Sequence, residues 1–180
     1  MKKITVKQIT FVSLMAALVF VTSKFLSIPL PTAIGNTRIH MGNVMCLLSG
    51  LLLGPVPGGL AAGIGSVIFD LLDPLYISSA PFTFAFKFAM AWVCGMIALH
   101  GGNEKKWRYA LGAVLGALSY VVLYLSKTFV ENLILGYEIE TILLTVAQKG
   151  FASTVNGIIA AVISVPLALI LKPALKKYLK

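Results

Sequence analysis

Lys87, Lys127, Glu131 and Asn156 lie inside long apolar stretches of this 180-residue chain. A charged or amide side chain there costs about 2.5–3.5 kcal/mol on insertion scales, so it needs a partner or a purpose. The other chemistry-bearing groups are few: six acids in all and two histidines. No set of His, Cys, Asp and Glu has metal-ligand spacing, and no pair of acids stands poised for general acid–base work. Gly63-Ile64-Gly65-Ser66 resembles a membrane-protease nucleophile turn, but Val67 follows where Gly is required, and His100, the one downstream histidine, falls in a loop at the opposite end. Gly54 and Gly59 have P-loop separation, yet Leu60 stands in the place of the lysine that would hold phosphate. Cys46 and Cys94 both sit within apolar runs and read as small core residues. These absences predict a protein that is not an enzyme and holds neither metal nor cofactor.

The elements that must position these groups follow from composition. The chain is 58% hydrophobic and 12% charged, with a mean hydropathy of +0.93, whereas a soluble domain carries about 25% charged residues. A soluble protein is therefore a poor reading, and an all-α integral membrane fold is expected. At ~20 residues per span there is room for six transmembrane helices. The apolar runs place them at about 9–28, 43–53, 58–72, 81–99, 109–135 and 148–171, within a single domain covering 1–180. Met1-Lys2-Lys3 before the first run resembles a signal peptide, but no small-residue cleavage site follows, so the run is read as a permanent helix. The second and third spans form a hairpin about the corner Gly54-Pro55-Val56-Pro57-Gly58-Gly59. The second span is short, which predicts that it is tilted or partly buried.

Charge sets the orientation. Lys2, Lys3, Lys7, Lys105, Lys106, Arg108, Lys172, Lys176, Lys177 and Lys180 fall on one side, opposed by Glu104 alone. The other half holds Lys24, Arg38, Lys87, Lys127 and Lys149 against Asp70, Asp73, Glu131, Glu138 and Glu140. The net +9 thus lies wholly on one side, which the positive-inside rule makes cytoplasmic. Both termini are expected there. The basic balance is one of membrane orientation, and no nucleic-acid partner is implied.

With that orientation, Lys87 lies six residues past Pro81, ~9 Å below the outer end of its helix at 1.5 Å per residue. Lys127 and Asn156 lie at comparable depth, Glu131 is one turn above Lys127, and Asp70 is near the outer end of the third helix. Each has an ordinary alternative. Lys127 and Glu131 are spaced to neutralise each other, Lys87 could snorkel outward, and Asn156 could tie two helices together. Arg38 and His40 sit in the first outer loop, where a surface position is common. What the alternatives do not explain is the convergence of four helices at one level, with inner halves almost purely apolar. A proton or ion path would spread polar groups across the whole thickness. A pocket open only to the outside would not.

On the first helix, Ser13 and Ala17 are four apart with Ala16 beside them, a flat face that lets another helix approach closely in lipid. Spacing alone leaves open whether that helix belongs to this chain or to a partner.

Ile39-His40-Met41-Gly42-Asn43, Leu53-Gly54-Pro55-Val56-Pro57-Gly58-Gly59-Leu60-Ala61-Ala62-Gly63-Ile64-Gly65-Ser66, and Ala80-Pro81-Phe82-Thr83 followed by Lys87 carry a family pattern. It resembles the S components, the substrate-binding membrane subunits, of energy-coupling factor (ECF) vitamin transporters. The similarity covers most of the chain and is strongest from Ile39 to Met96, towards the riboflavin, pyridoxine and hydroxymethylpyrimidine type. Asn43 stands where that pattern often has Asp, so an amide replaces the carboxylate there. The resemblance implies a six-helix subunit in a prokaryotic cell membrane that captures a small vitamin or precursor from outside under a lid formed by the loop after the first helix. It implies partnership with a transmembrane coupling subunit and two ATP-binding subunits, docked through the first helix at Ser13, Ala16 and Ala17; Ser13 and Ala17 occupy the spacing of the family's Ala-x-x-x-Ala, with Ser in place of its first Ala. The expected ligand wall comprises Arg38, His40, Asn43, Asp70, Lys87, Lys127, Glu131 and Asn156. Pyridoxine- or hydroxymethylpyrimidine-like ligands come first, then riboflavin, then a deazapurine such as queuine. A free-standing secondary transporter or channel, and a ligand-free membrane scaffold, are the rival readings.

Overall fold

The computed structural model describes residues 5–100 and 105–179. Lys2, Lys3, Glu104 and Lys180, counted above for orientation, lie outside the described residues, as do the side chains of Lys176 and Lys177. Six helices dominate: α1 (Val6–Phe25), α2 (Gly42–Leu53), α3 (Pro55–Leu71), α4 (Ala80–Leu99), α5 (Lys106–Ile134) and α6 (Ile139–Leu179). Those containing α1, α4, α5 and α6 are long and apolar enough to cross a membrane, while α2 and α3 are shorter apolar helices.

The short α2 is the hub. It packs on each of the other five helices, and ten of its 12 residues are buried. A helix apolar on every face has to be enclosed. Enclosure also removes the need to match the bilayer: 12 residues span only ~18 Å, and protein rather than lipid meets their ends. Leu47, Leu51, Met90, Cys94, Ala113 and Ala160 meet around it.

The corner from α2 to α3 is built for close approach. Gly54 has φ +90°, a left-handed conformation that penalises a side chain, and Pro55 opens α3. The buried Ser49 hydroxyl donates to the Gly58 carbonyl at 2.9 Å. A Cβ on Gly95 would stand 2.8 Å from the Gly50 carbonyl and Gly54, so α4 meets this corner backbone to backbone, as small residues allow in membrane helices.

Two features depart from the sequence reading. The stretch after α1, expected as an irregular polar loop, is an antiparallel β-hairpin of β1 (Ser27–Pro31) and β2 (Asn36–His40), with Pro29 opposite Arg38 and Ser27 opposite His40. Its two prolines can only be edge-strand residues, while Thr37 and Ile39 favour the extended state. Gly35, at φ +72°, makes the turn. Helix α6 also runs past both ends of the expected span, with Pro166 and Pro173 inside it. Neighbouring helices can satisfy the backbone groups that a proline frees.

Candidate functional site

A cavity of about 280 Å³ opens at the hairpin end of the bundle, opposite the Gly54 corner. Its walls come from β2, the outer ends of α3, α4 and α5, the α3–α4 loop and the outer half of α6. Of the residues expected from sequence, Arg38, His40, Asp70, Lys87, Lys127, Glu131 and Asn156 all line it. Asn43 is fully buried and sits behind the wall, where its carbonyl oxygen accepts a hydrogen bond from Lys87 Nζ.

The floor is a buried polar cluster. Lys87, 3% exposed, donates to Asn43 and lies 3.5 Å from the centroid of the Tyr120 ring. Its charge is held by an amide oxygen and an aromatic face, rather than snorkelling to solvent. Asp70 is 5% exposed, and its Oδ2 has no hydrogen-bond partner among the described residues, nor has Asn43 Nδ2. Unsatisfied buried polar atoms are rare in native folds and call for an explanation.

The hairpin closes the cavity and is fastened on two sides. From α6, the Asn156 side chain accepts from the His40 backbone N–H at 2.9 Å and donates to the Arg38 carbonyl at 2.8 Å. Gln148 accepts from the Ala33 N–H at 2.8 Å. From the other side, the Arg38 guanidinium donates to Asp73 Oδ2 at 2.9 Å and stacks between Phe69 and Tyr76, 4.5 and 4.1 Å from their ring centroids. Burial works to raise the Asp73 carboxyl, but hydrogen bonds from Arg38 and the Leu75 N–H outweigh it and hold it below the usual carboxylate range. Burial first, then the charges of Lys87 and Arg38, keep His40 well below its ordinary value and so neutral. Its Nδ1 accepts from the Gly42 N–H at 3.2 Å.

Lys127 pairs with Glu131 on the next turn, as their spacing predicts, and also donates to Ser79 Oγ at 3.2 Å. Both still face the cavity.

Sequence reasoning missed the aromatic wall. Phe69, Tyr76, Phe82, Phe86, Tyr120 and Tyr124 all line the space, with Tyr120 and Tyr124 stacked at 5.7 Å and 7°. The available signal was the i,i+4 pairing of Phe82 with Phe86, just before Lys87, and of Tyr120 with Tyr124 on the helix face that carries Lys127. Lys149 and Ser153, one turn apart on α6, were missed as well.

The three small residues of α1 do not share one environment. Ser13 and Ala17 are exposed on the outer surface of the bundle, whereas Ala16 is buried and its carbonyl lies against Gly65 of α3. Half of that face packs internally, and the other half is open.

The family model for the S component of the ECF-type riboflavin transporter matches residues 3–173. A Pyrococcus woesei protein, described as an uncharacterized protein in the gap 3' region, is 34% identical over 112 residues, covering 62% of this chain and 72% of its own length.

Proposed function

The chain belongs to the ECF-type riboflavin transporter S-component family, multi-pass proteins of the prokaryotic plasma membrane that are transport subunits and not enzymes; on that premise we propose that its outer cavity captures riboflavin from outside the cell. The observation that carries the reading is the cavity itself, an aromatic slot with a polar floor beneath a fastened hairpin. Flat heteroaromatic ligands suit such walls, because ring faces stack on Tyr and Phe while a few fixed polar groups set orientation. The unpaired Oδ2 of Asp70, which lines the cavity, offers an acceptor to a polar edge of the ring system.

The cavity's size favours a second reading. About 280 Å³ lies just under the usual range of small-molecule pockets, about 300–1,000 Å³, which suits a single-ring pyridoxine- or hydroxymethylpyrimidine-like vitamin. Mass spectrometry of ligand carried through purification separates the two. Recovery of a flavin supports the first, recovery of a one-ring vitamin the second, and binding unchanged after Lys87→Ala and Lys127→Ala would remove the cavity from either.

Delivery across the membrane is assigned to a coupling subunit with two ATP-binding subunits. The open Ser13–Ala17 face of α1 is the proposed contact, since it is flat and exposed. Ser13→Leu or Ala17→Leu should weaken co-purification of these subunits and leave ligand binding intact. A chain that imports its solute with no ATPase present is a secondary transporter instead.

A further inference from the structure

The cavity holds four cations, Arg38, Lys87, Lys127 and Lys149. Three are answered within the protein: Arg38 by Asp73, Lys127 by Glu131, and Lys87 by Asn43 with Asp70 close by. The Lys149 ammonium makes no hydrogen bond or ion pair among the described residues, and Glu131, the acid whose charge reaches it, is already paired with Lys127. It is half-buried on α6, one turn outward of Ser153, with Gly150 beneath it against Leu125. That contact sets Lys149 roughly 7 Å outward of Tyr120, measured along α5 at 1.5 Å per residue. The polar floor and this lysine are therefore at different heights of one slot.

A second donor faces the same space. Ser79 Oγ already accepts from Lys127, so its own proton is free to be donated. An ammonium with no pair of its own and a free hydroxyl lining one cavity are complementary to an anion, and charge-assisted hydrogen bonds are the strong ones. Lys127 and Lys149 thus share the one carboxylate of Glu131, which leaves a net positive charge at this level of the cavity.

We propose that Lys149 forms an anion subsite at the outer end of the cavity, so that the preferred ligand carries a phosphate or carboxylate beyond its aromatic ring. This rests on the vitamin-capture reading and narrows its ligand class to the anionic members. Riboflavin would then be the weaker partner and its 5'-phosphate the stronger.

The test titrates purified full-length protein with two matched pairs, riboflavin against riboflavin 5'-phosphate and pyridoxine against pyridoxal 5'-phosphate. The phosphate ester of at least one pair is expected to bind about tenfold more tightly or better, the effect of one charge-assisted contact. Lys149→Gln should collapse the ratio within that pair towards one, and Lys149→Arg should keep it. Equal or tighter binding of the neutral members overturns the inference and leaves vitamin capture standing, as does a preference that survives Lys149→Gln. Binding of none of the four ligands overturns both. The wild-type ratio decides by itself should Lys149→Gln not fold.

Discussion

The two ends of this bundle solve opposite problems with the same helices. At the inner end, around the Gly54 corner, α2, α3 and α4 meet backbone to backbone through Gly50, Gly58 and Gly95, with Ser49 as the polar tie. At the outer end the same helices diverge around a cavity, and the side chains become lysines, acids, amides and aromatic rings. The inner end gains its stability from contact that leaves no room. The outer end keeps room open and holds its charges in place with pairs, rings and a strapped hairpin. The contrast teaches that close packing and open polar space are segregated to opposite ends of the bundle.

The strongest way to break that comparison is at the inner end. A Cβ on Gly50 would collide with the Ala91 carbonyl, and backbone cannot yield as a flexible side chain can. Gly50→Val should cost on the order of 3 kcal/mol or more, read as loss of a monodisperse peak and a large fall in melting temperature in detergent. A stable Gly50→Val protein would show that the inner end is less tightly built than its geometry indicates.

The floor provides the reciprocal test. Lys87→Met leaves Asn43 and Asp70 without their cation, and removing one partner of a buried charged cluster costs about 3–5 kcal/mol. Adding Asp70→Asn should return much of that stability by removing the stranded carboxylate, yet ligand affinity should stay at least about tenfold weaker. Thermal melting and isothermal titration read the two quantities separately. Recovery of both together would make the floor purely structural.

The hairpin's α6 strap should matter less. Asn156→Leu removes two hydrogen bonds to the β2 backbone, at about 1 kcal/mol each. The ligand's dissociation rate should rise roughly tenfold or more, with faster hydrogen exchange at Arg38 and His40 and little change at α2. Stopped-flow fluorescence of a bound flavin would follow the rate.

The smallest effect is expected at the opposite fastening. The folded carboxyl of Asp73 lies below its ordinary value, so the Arg38–Asp73 contribution is present in full above the ordinary carboxylate pKa of about 4. It is lost as pH falls through the lower folded value. The pair is mostly but not fully buried, with side chains 15% and 18% exposed, so solvent screening keeps its worth to at most about 1 kcal/mol. Asp73→Asn should reproduce the acid behaviour at neutral pH, visible as hairpin exchange rates that no longer change with acidification.

Much of this arrangement was legible in the chain. Hydropathy and charge asymmetry identified the six apolar segments, because lipid forces backbone groups into helices and the translocation of lysine is unfavourable. The depth of Lys87, Lys127, Glu131 and Asn156 followed from counting along helices, since rise per residue is fixed. The polar segment after α1 was harder. Its β pairing depends on Pro29 facing Arg38 and on α6 holding β2, neither of which is a local property.

What the sequence by itself determined is therefore the membrane class, the level at which polar groups gather, and the glycine corner that gives α2 and α3 their sharp turn. What only the tertiary structure decided is who answers whom. Asn43 is turned to Lys87 rather than to the cavity, Ala16 is taken by Gly65 while Ala17 is left open, and Lys149 is left without an ion pair of its own. Periodicity fixes a residue's height and face on its own helix, but pairing depends on how neighbouring helices are rotated about one another, and that is set by packing across the whole bundle.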